Sequence, residues 1–313
     1  SLLAGAGADG KIILWDAATG AMVNTFEGSA GEITSVVFSS GGRLLASGEK
    51  SGRILIWDIQ ENTRIAVLNG HEGPVNSLAF SPSGLVLASA SSDGTARLWD
   101  IYAETELHRL KGHELSVNGV EFSPDGAIVL SVGGDGVLRF WSAGIGVQLG
   151  NQALNDGNIL QVGYAPDGGS IFCTTEEGSV LILHKSEEDQ PYQVTTLAKY
   201  QSQVKSTAVD SSGHYLAAGY ADGTIRITSL LTGQEEKSLI VFDDAVDAVA
   251  YSPDGKMLAT GDESGLIRVL DSGSGTELLS LRGHQAGVYS LVFSNTNQML
   301  LSGSMDGTIR LWN

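Results

Sequence analysis

Short runs of apolar and β-branched residues follow one another along the whole chain, separated by gaps that carry glycine, aspartate and serine. Val75–Phe80, Leu85–Ser89 and Thr95–Trp99 are representative. Each alternates or runs apolar over a strand's length, and none sustains the three-to-four spacing of an amphipathic helix. The gaps carry turn chemistry. Asp93-Gly94 divides the second run from the third, and Asp-Gly between apolar runs signals a hairpin because glycine takes positive φ without a Cβ clash. Ser81-Pro82-Ser83-Gly84 divides the first from the second, with proline presetting φ at the first turn position. A fourth run near Glu106–Leu110 completes a unit of four short antiparallel strands, a to d in chain order.

The unit repeats. Tryptophans stand at 15, 57, 99, 141 and 312, and the first four are 42 residues apart. The same step leads forward to Leu183, and backward from Trp312 to Leu270 and Thr228, with 45 residues between Leu183 and Thr228. Six residues before these eight positions stand Asp9, Ser51, Asp93, Asp135, Glu177, Asp222, Ser264 and Asp306, each followed by glycine. The proline turn recurs at Ser123-Pro124-Asp125-Gly126 and Ser252-Pro253-Asp254-Gly255, with Pro166-Asp167-Gly168 a shorter echo. A four-stranded unit repeated at fixed period predicts an all-β propeller. The reading is one domain over 1–313, with third strands ending near 15, 57, 99, 141, 183, 228, 270 and 312.

Charge narrows the partners. Lys plus Arg is 18 and Asp plus Glu is 36, a net charge of −18. Such a chain lacks the cationic face that displaces counterions from nucleic acid or docks on anionic lipid. No apolar run is long enough for a spanning helix. The one cysteine, Cys173, excludes an internal disulfide framework and points to the cytoplasm.

Gly70-His71, Gly112-His113 and Gly283-His284 open units, and Trp57-Asp58 and Trp99-Asp100 end them. With the spacing and the Asp-Gly turns, the whole chain resembles the WD-repeat β-propeller family. The resemblance implies a buried chain of hydrogen bonds within each blade, through His, Ser, the turn Asp and Trp. Full sets are His71, Ser89, Asp93 and Trp99; His113, Ser131, Asp135 and Trp141; and His284, Ser302, Asp306 and Trp312. Three units depart from it, with Asn155, Cys173, Glu177 and Leu183; Tyr200, Ala218, Asp222 and Thr228; and Phe242, Thr260, Ser264 and Leu270. These are expected to rely on apolar packing and to form the softer part of the ring.

Two rings suit the count. In the first, which is preferred, eight blades form and a d–a segment precedes Ser1 in a longer protein. In the second, Met22–Phe26 closes seven blades and residues 1–16 are an extra hairpin. The complete Asp9-Gly10 turn and Trp15-Asp16 favour the first, since an unpaired apolar hairpin is an aggregation edge.

No singular catalytic or metal-binding constellation stands out. Ser, His and Asp recur together, but three times at fixed spacing, which fits a structural role rather than a nucleophile. The six histidines fall in different units or stand alone, so neither a metal nor a cofactor is expected. Gly5–Gly10 resembles a dinucleotide loop but opens a hairpin, not a helix. Cys173 reads as a small buried residue, and Ser186–Gln190 as a solvated acidic loop.

In proteins of this family partners dock on the face made by the d–a and b–c loops. The apolar anchors expected there are Tyr289, Met305 and Leu160; the alternative is that these fill the channel mouth. Lys50 and Lys205 join them, and Glu32, Glu176, Asp247 and Glu263 make the rim acidic, which suits a basic peptide segment. The expected function is a non-catalytic scaffold or sensor that binds proteins, including other domains of its own chain. The competing reading is a propeller enzyme using the central channel, which needs convergent charges near the axis.

Overall fold

The protein is represented by a computed structural model that describes residues 2–27, 31–165, 168–184, 193–199, 202–240 and 242–313. These residues form eight small antiparallel sheets, each a meander whose strands pair in chain order. Blade 1 comprises Leu2–Ala6, Ile12–Asp16 and Met22–Phe26, and blade 2 comprises Ile33–Phe38, Leu44–Glu49, Ile54–Asp58 and Thr63–Leu68. Blade 3 is Val75–Phe80, Val86–Ser91, Thr95–Asp100 and Thr105–Lys111; blade 4 is Val117–Phe122, Ile128–Gly133, Val137–Ser142 and Gln148–Ala153. Blade 5 is Ile159–Tyr164, Ser170–Thr175, Ser179–His184 and Gln193–Lys199; blade 6 is Val204–Val209, Tyr215–Tyr220, Thr224–Ser229 and Glu235–Ile240. Blade 7 is Val246–Tyr251, Met257–Asp262, Ile267–Asp271 and Glu277–Leu281, and blade 8 is Val288–Phe293, Leu300–Ser304 and Ile309–Trp312.

The ring therefore has eight blades. Met22–Phe26 pairs with Ile12–Asp16 inside blade 1 rather than closing a ring of seven. Blade 1 meets blade 8 through Leu3, Ala17 and Leu301, with Trp15, Ile309 and Leu311 packed around them. Blade 1 has no inner strand and blade 8 no outer one among the described residues. The consequence is visible in burial: Ile309–Trp312 is half-buried throughout, whereas Ile54–Asp58 is buried throughout.

Local chemistry explains the blade. All eight turn glycines after the Asp, Ser or Glu position have positive φ, from 69° at Gly136 to 91° at Gly265. A Cβ there would be strained, so the turn requires glycine. The middle strands are covered on both faces by neighbouring blades, which is why they read as apolar runs rather than clean alternation. Ile54, Ile56 and Leu68 of blade 2 pack with Val75, Leu87 and Trp99 of blade 3 in one cluster. Trp99 is fully buried there, a contribution of about 3 kcal/mol by apolar area alone. Blades approach closely where the second strand offers a glycine: a Cβ on Gly261 would stand 2.7 Å from Val288 Cγ1 of blade 8.

Two register shifts recur in nearly every blade. One follows the first residue of the inner strand, as between Val75 and Ser77, Val246 and Ala248, and Val288 and Ser290. The other falls at the Trp position, as between Leu98 and Trp99. A bulge re-aims the side chain at the extra residue. The inner bulge therefore sets the second residue of that strand apart from the pleat, at the end of the blade where the b–c turns lie. Blade 5, where Leu183 replaces Trp, carries its outer shift two residues early, between Val180 and Leu181.

Candidate functional site

The three histidine sets are assembled with near-identical geometry. In blade 3 the Trp99 indole donates to Ser89 Oγ at 2.8 Å, Ser89 lies 2.7 Å from His71 Nε2, and His71 Nδ1 lies 2.8 Å from Asp93. The donor inventory orders the chain. Trp supplies one N–H, the serine hydroxyl donates a hydrogen bond to Nε2, and Nδ1–H donates to the carboxylate, so a neutral imidazole satisfies its buried neighbours. Blade 4 repeats this at 2.8, 2.7 and 2.9 Å through Trp141, Ser131, His113 and Asp135. Blade 8 does so at 2.8, 2.7 and 2.9 Å through Trp312, Ser302, His284 and Asp306.

Burial, opposed by the Asp93 and Asp135 carboxylates, pushes His71 and His113 below the ordinary histidine range. Burial works to raise Asp93, Asp135 and Asp306, but the hydrogen bonds they accept outweigh it and hold all three below the usual range. The serine–histidine–aspartate order matches a hydrolytic triad, yet Ser89, Ser131 and Ser302 are completely buried and Ser89, Ser131 and Ser302 each already accept an indole N–H. No substrate carbonyl reaches such an oxygen.

Arginines that the motif reading passed over belong to these sets. Arg97, almost fully buried, bridges Asp93 at 3.4 Å and Glu106 at 2.6 Å, and Arg139 contacts Asp135 at 2.8 Å. The signal was available, since an arginine stands two residues before Trp99, Trp141 and Trp312. The departing blades replace polar bonds with packing. In blade 7, Phe242 takes the histidine's place, with the Arg268 guanidinium 4.9 Å from its ring centre. In blade 5, Cys173 is fully buried, and burial pushes its thiol upward, away from the reactive thiolate. Tyr200, Ser186–Gln190 and the turn residues Pro166-Asp167 lie outside the described residues.

The bulged inner-strand residues meet two fates. In blades 2, 3 and 4 they tie the ring together: Thr34 Oγ1 donates to Val75 O at 2.6 Å, Asn76 Nδ2 to Val117 O at 2.8 Å, and Asn118 Nδ2 to Ile159 O at 2.7 Å. Sequence reasoning has no signal for these cross-blade bonds, because each acceptor is a backbone carbonyl of the next blade. In blades 6, 7 and 8 the same position carries Lys205, Asp247 and Tyr289.

Five of the nine proposed contact residues come together here. Gly287 lies against both Glu263 and Tyr289, since a Cβ on it would stand 3.3 Å from Glu263 Cα and 3.4 Å from Tyr289 Cε2. The Met305 N–H donates to Gly287 O at 2.9 Å. Tyr289 is 50% exposed and Met305 70%. Burial first, then Glu263, raises the Asp247 carboxyl, while Lys205 acts to lower it. Burial and the Asp247 and Glu263 carboxylates likewise raise the Tyr289 hydroxyl. The others stand apart. Glu32 and Lys50 form an exposed pair at 2.7 Å on blade 2, so that acid is already neutralised. On blade 5, Glu176 accepts from Asn158 at 3.2 Å, and Leu160 lines the channel.

The family model described as "WD domain, G-beta repeat" matches residues 20–58, 62–100, 104–142, 191–229, 233–271 and 275–313. The stretch left unmatched between 142 and 191 contains the first three strands of blade 5, where Asn155, Cys173, Glu177 and Leu183 replace the motif. No curated protein matches the chain. Among solved structures, the computationally designed Ika8 protein, in its crystal packing No.1 in P63, is similar. The TM-score is 0.84 at 27% identity, over 99% of this chain and 92% of that one.

Proposed function

The chain belongs to the WD40 family of WD-domain, G-beta repeats, whose propellers generally carry protein–protein contacts, and from this we propose a non-catalytic interaction scaffold or sensor module. One observation carries the finer reading: Tyr289 and Met305 stand exposed around Gly287, with the Glu263 and Asp247 carboxylates alongside. An aromatic and a methionine beside acids suit a partner segment with an apolar anchor and a flanking Lys or Arg. Lys205 at the edge of the patch orients such a segment by repelling its basic end. The partner is a protein or peptide, from another molecule or from another domain of the same chain. A single buried thiol suits work in the cytoplasm.

Selection from a phage-displayed random peptide library against the immobilised protein tests the docking site. Enriched peptides are expected to combine Lys or Arg with an aromatic or aliphatic residue. They should bind the Tyr289→Ala, Met305→Ala double variant about tenfold or more weakly. Unchanged affinity for that variant, or no enrichment, would overturn the assignment.

A further inference from the structure

We propose that the axial channel binds a slender aliphatic ammonium ion on the carboxylate of Glu121. Glu121 is the fifth residue of the inner strand of blade 4, Val117–Phe122. The equivalent positions in the other described inner strands are Val37, Ala79, Gly163, Ala208, Ala250 and Val292, so among the described inner strands this level carries one charge.

Two cavities meet at that side chain. One, of about 410 Å³, extends past Asn118, Leu160 and Val162. The other, of about 390 Å³, extends past Phe80, Phe122 and Tyr164. Among the residues lining either cavity, Glu121 is the one acidic or basic side chain. Its neighbours at the same level carry no charge: Ala79 on blade 3, and Gly163 on blade 5, which is covered by the Phe172 ring.

A carboxylate in such a setting lacks the counter-charge that buried acids normally find. Burial alone pushes its carboxyl up to about 7. An ammonium group supplies the charge and N–H donors together. The Leu78, Phe80 and Phe122 walls of the second cavity take a hydrocarbon chain, while Ser77, Gln161 and Thr207 give the first a polar lining. A bare metal ion is a poorer match, since Asn118 Oδ1 already accepts from Ser116 Oγ and a single carboxylate is too few ligands. This site is separate from the exposed patch at Tyr289 and Met305, and stands or falls independently of it.

Calorimetric titration of the full chain with n-pentylammonium chloride tests the proposal, with 1-pentanol as the neutral comparator. The amine should saturate one site and bind about tenfold or more tightly than the alcohol. Glu121→Gln, which keeps the shape and removes the charge, should weaken the amine by about tenfold or more, while the exposed Glu72→Gln leaves it unchanged. Equal melting temperatures of the two variants and the parent establish that the loss is local. Unchanged binding to Glu121→Gln, equal binding of amine and alcohol, or no saturable heat would each overturn it.

Discussion

Blades 3 and 4 and blades 7 and 8 carry the same bulge at the start of the inner strand and use it in opposite ways. In blades 3 and 4 the bulged residue is Asn76 or Asn118, whose amide N–H is bonded to the next blade's backbone. In blades 7 and 8 it is Asp247 or Tyr289. An ionised carboxylate has no proton to donate to a carbonyl, and blade 1, beside Tyr289, presents no inner strand among the described residues. One backbone feature thus gives a fastening on one side of the ring, and on the other a buried carboxylate at Asp247 beside an exposed ring at Tyr289. The cores differ in parallel: blade 3 is knit by a buried His71–Asp93–Arg97 network, while blade 7 packs Phe242 under Arg268.

The largest consequence lies in the cores. His71→Ala removes the bonds to Ser89 and Asp93, leaves the buried Ser89 hydroxyl without its acceptor and opens a gap beside Trp99, and is expected to destabilise by about 3 kcal/mol. Phe242→Leu in blade 7 removes only packing and is expected to destabilise by about 1 kcal/mol. Urea unfolding of both variants checks this, and similar midpoints would erase the distinction between the two regions.

Acid separates them by sign. Asp93 and Asp135 are held below their ordinary range, so the stability they contribute is complete above about pH 4 and is lost as pH falls through lower values. His71 and His113 are held below theirs, so their neutral, buried forms favour folding fully above about pH 6.5 and less as pH falls beneath it. Asp247 is shifted upward, so the stability its ionisation removes at neutral pH returns in acid. Amide hydrogen exchange, corrected for its intrinsic pH dependence, should show blades 3 and 4 losing protection from pH 7 to pH 5 relative to blade 7. A parallel change in both would contradict the assignment.

A smaller effect comes from the bulges. Asn76→Ala removes the cross-blade hydrogen bonds to Val117 O and Ser116 Oγ and should lower stability by about 1 kcal/mol. Tyr289→Ala should leave it within about 0.5 kcal/mol, as exposed substitutions do. Equal losses measured by chemical denaturation would make Tyr289 a structural residue.

Much of this was legible in the residues because repetition amplifies weak signals. One Asp-Gly pair predicts a hairpin; eight turns at fixed spacing before Trp99 and its counterparts, five of them Asp-Gly and the rest Ser-Gly or Glu-Gly, define a blade, and every one of those glycines has the positive φ the turn needs. The sets built on His71, His113 and His284 could be placed by counting along the repeat. What could not be read depends on contacts between blades. Asn76 and Asn118 look like exposed polar residues until the next blade's carbonyl is in place. Glu121 looks like an ordinary surface acid until the ring closes around it. Nor does the pattern reveal that Glu32 is neutralised by Lys50 while Glu263 and Asp247 gather beside Tyr289. Those pairings follow from which turns the ring brings side by side.

The most direct test of the division between fastened and free bulges is a map of backbone amide shifts when a library-selected basic peptide is added to isotope-labelled protein. The account predicts that perturbations cluster at Lys205, Asp247, Glu263, Tyr289 and Met305 and leave Thr34, Asn76 and Asn118 in place. Perturbations centred on Thr34, Asn76 and Asn118, with Tyr289 and Met305 unmoved, would contradict it.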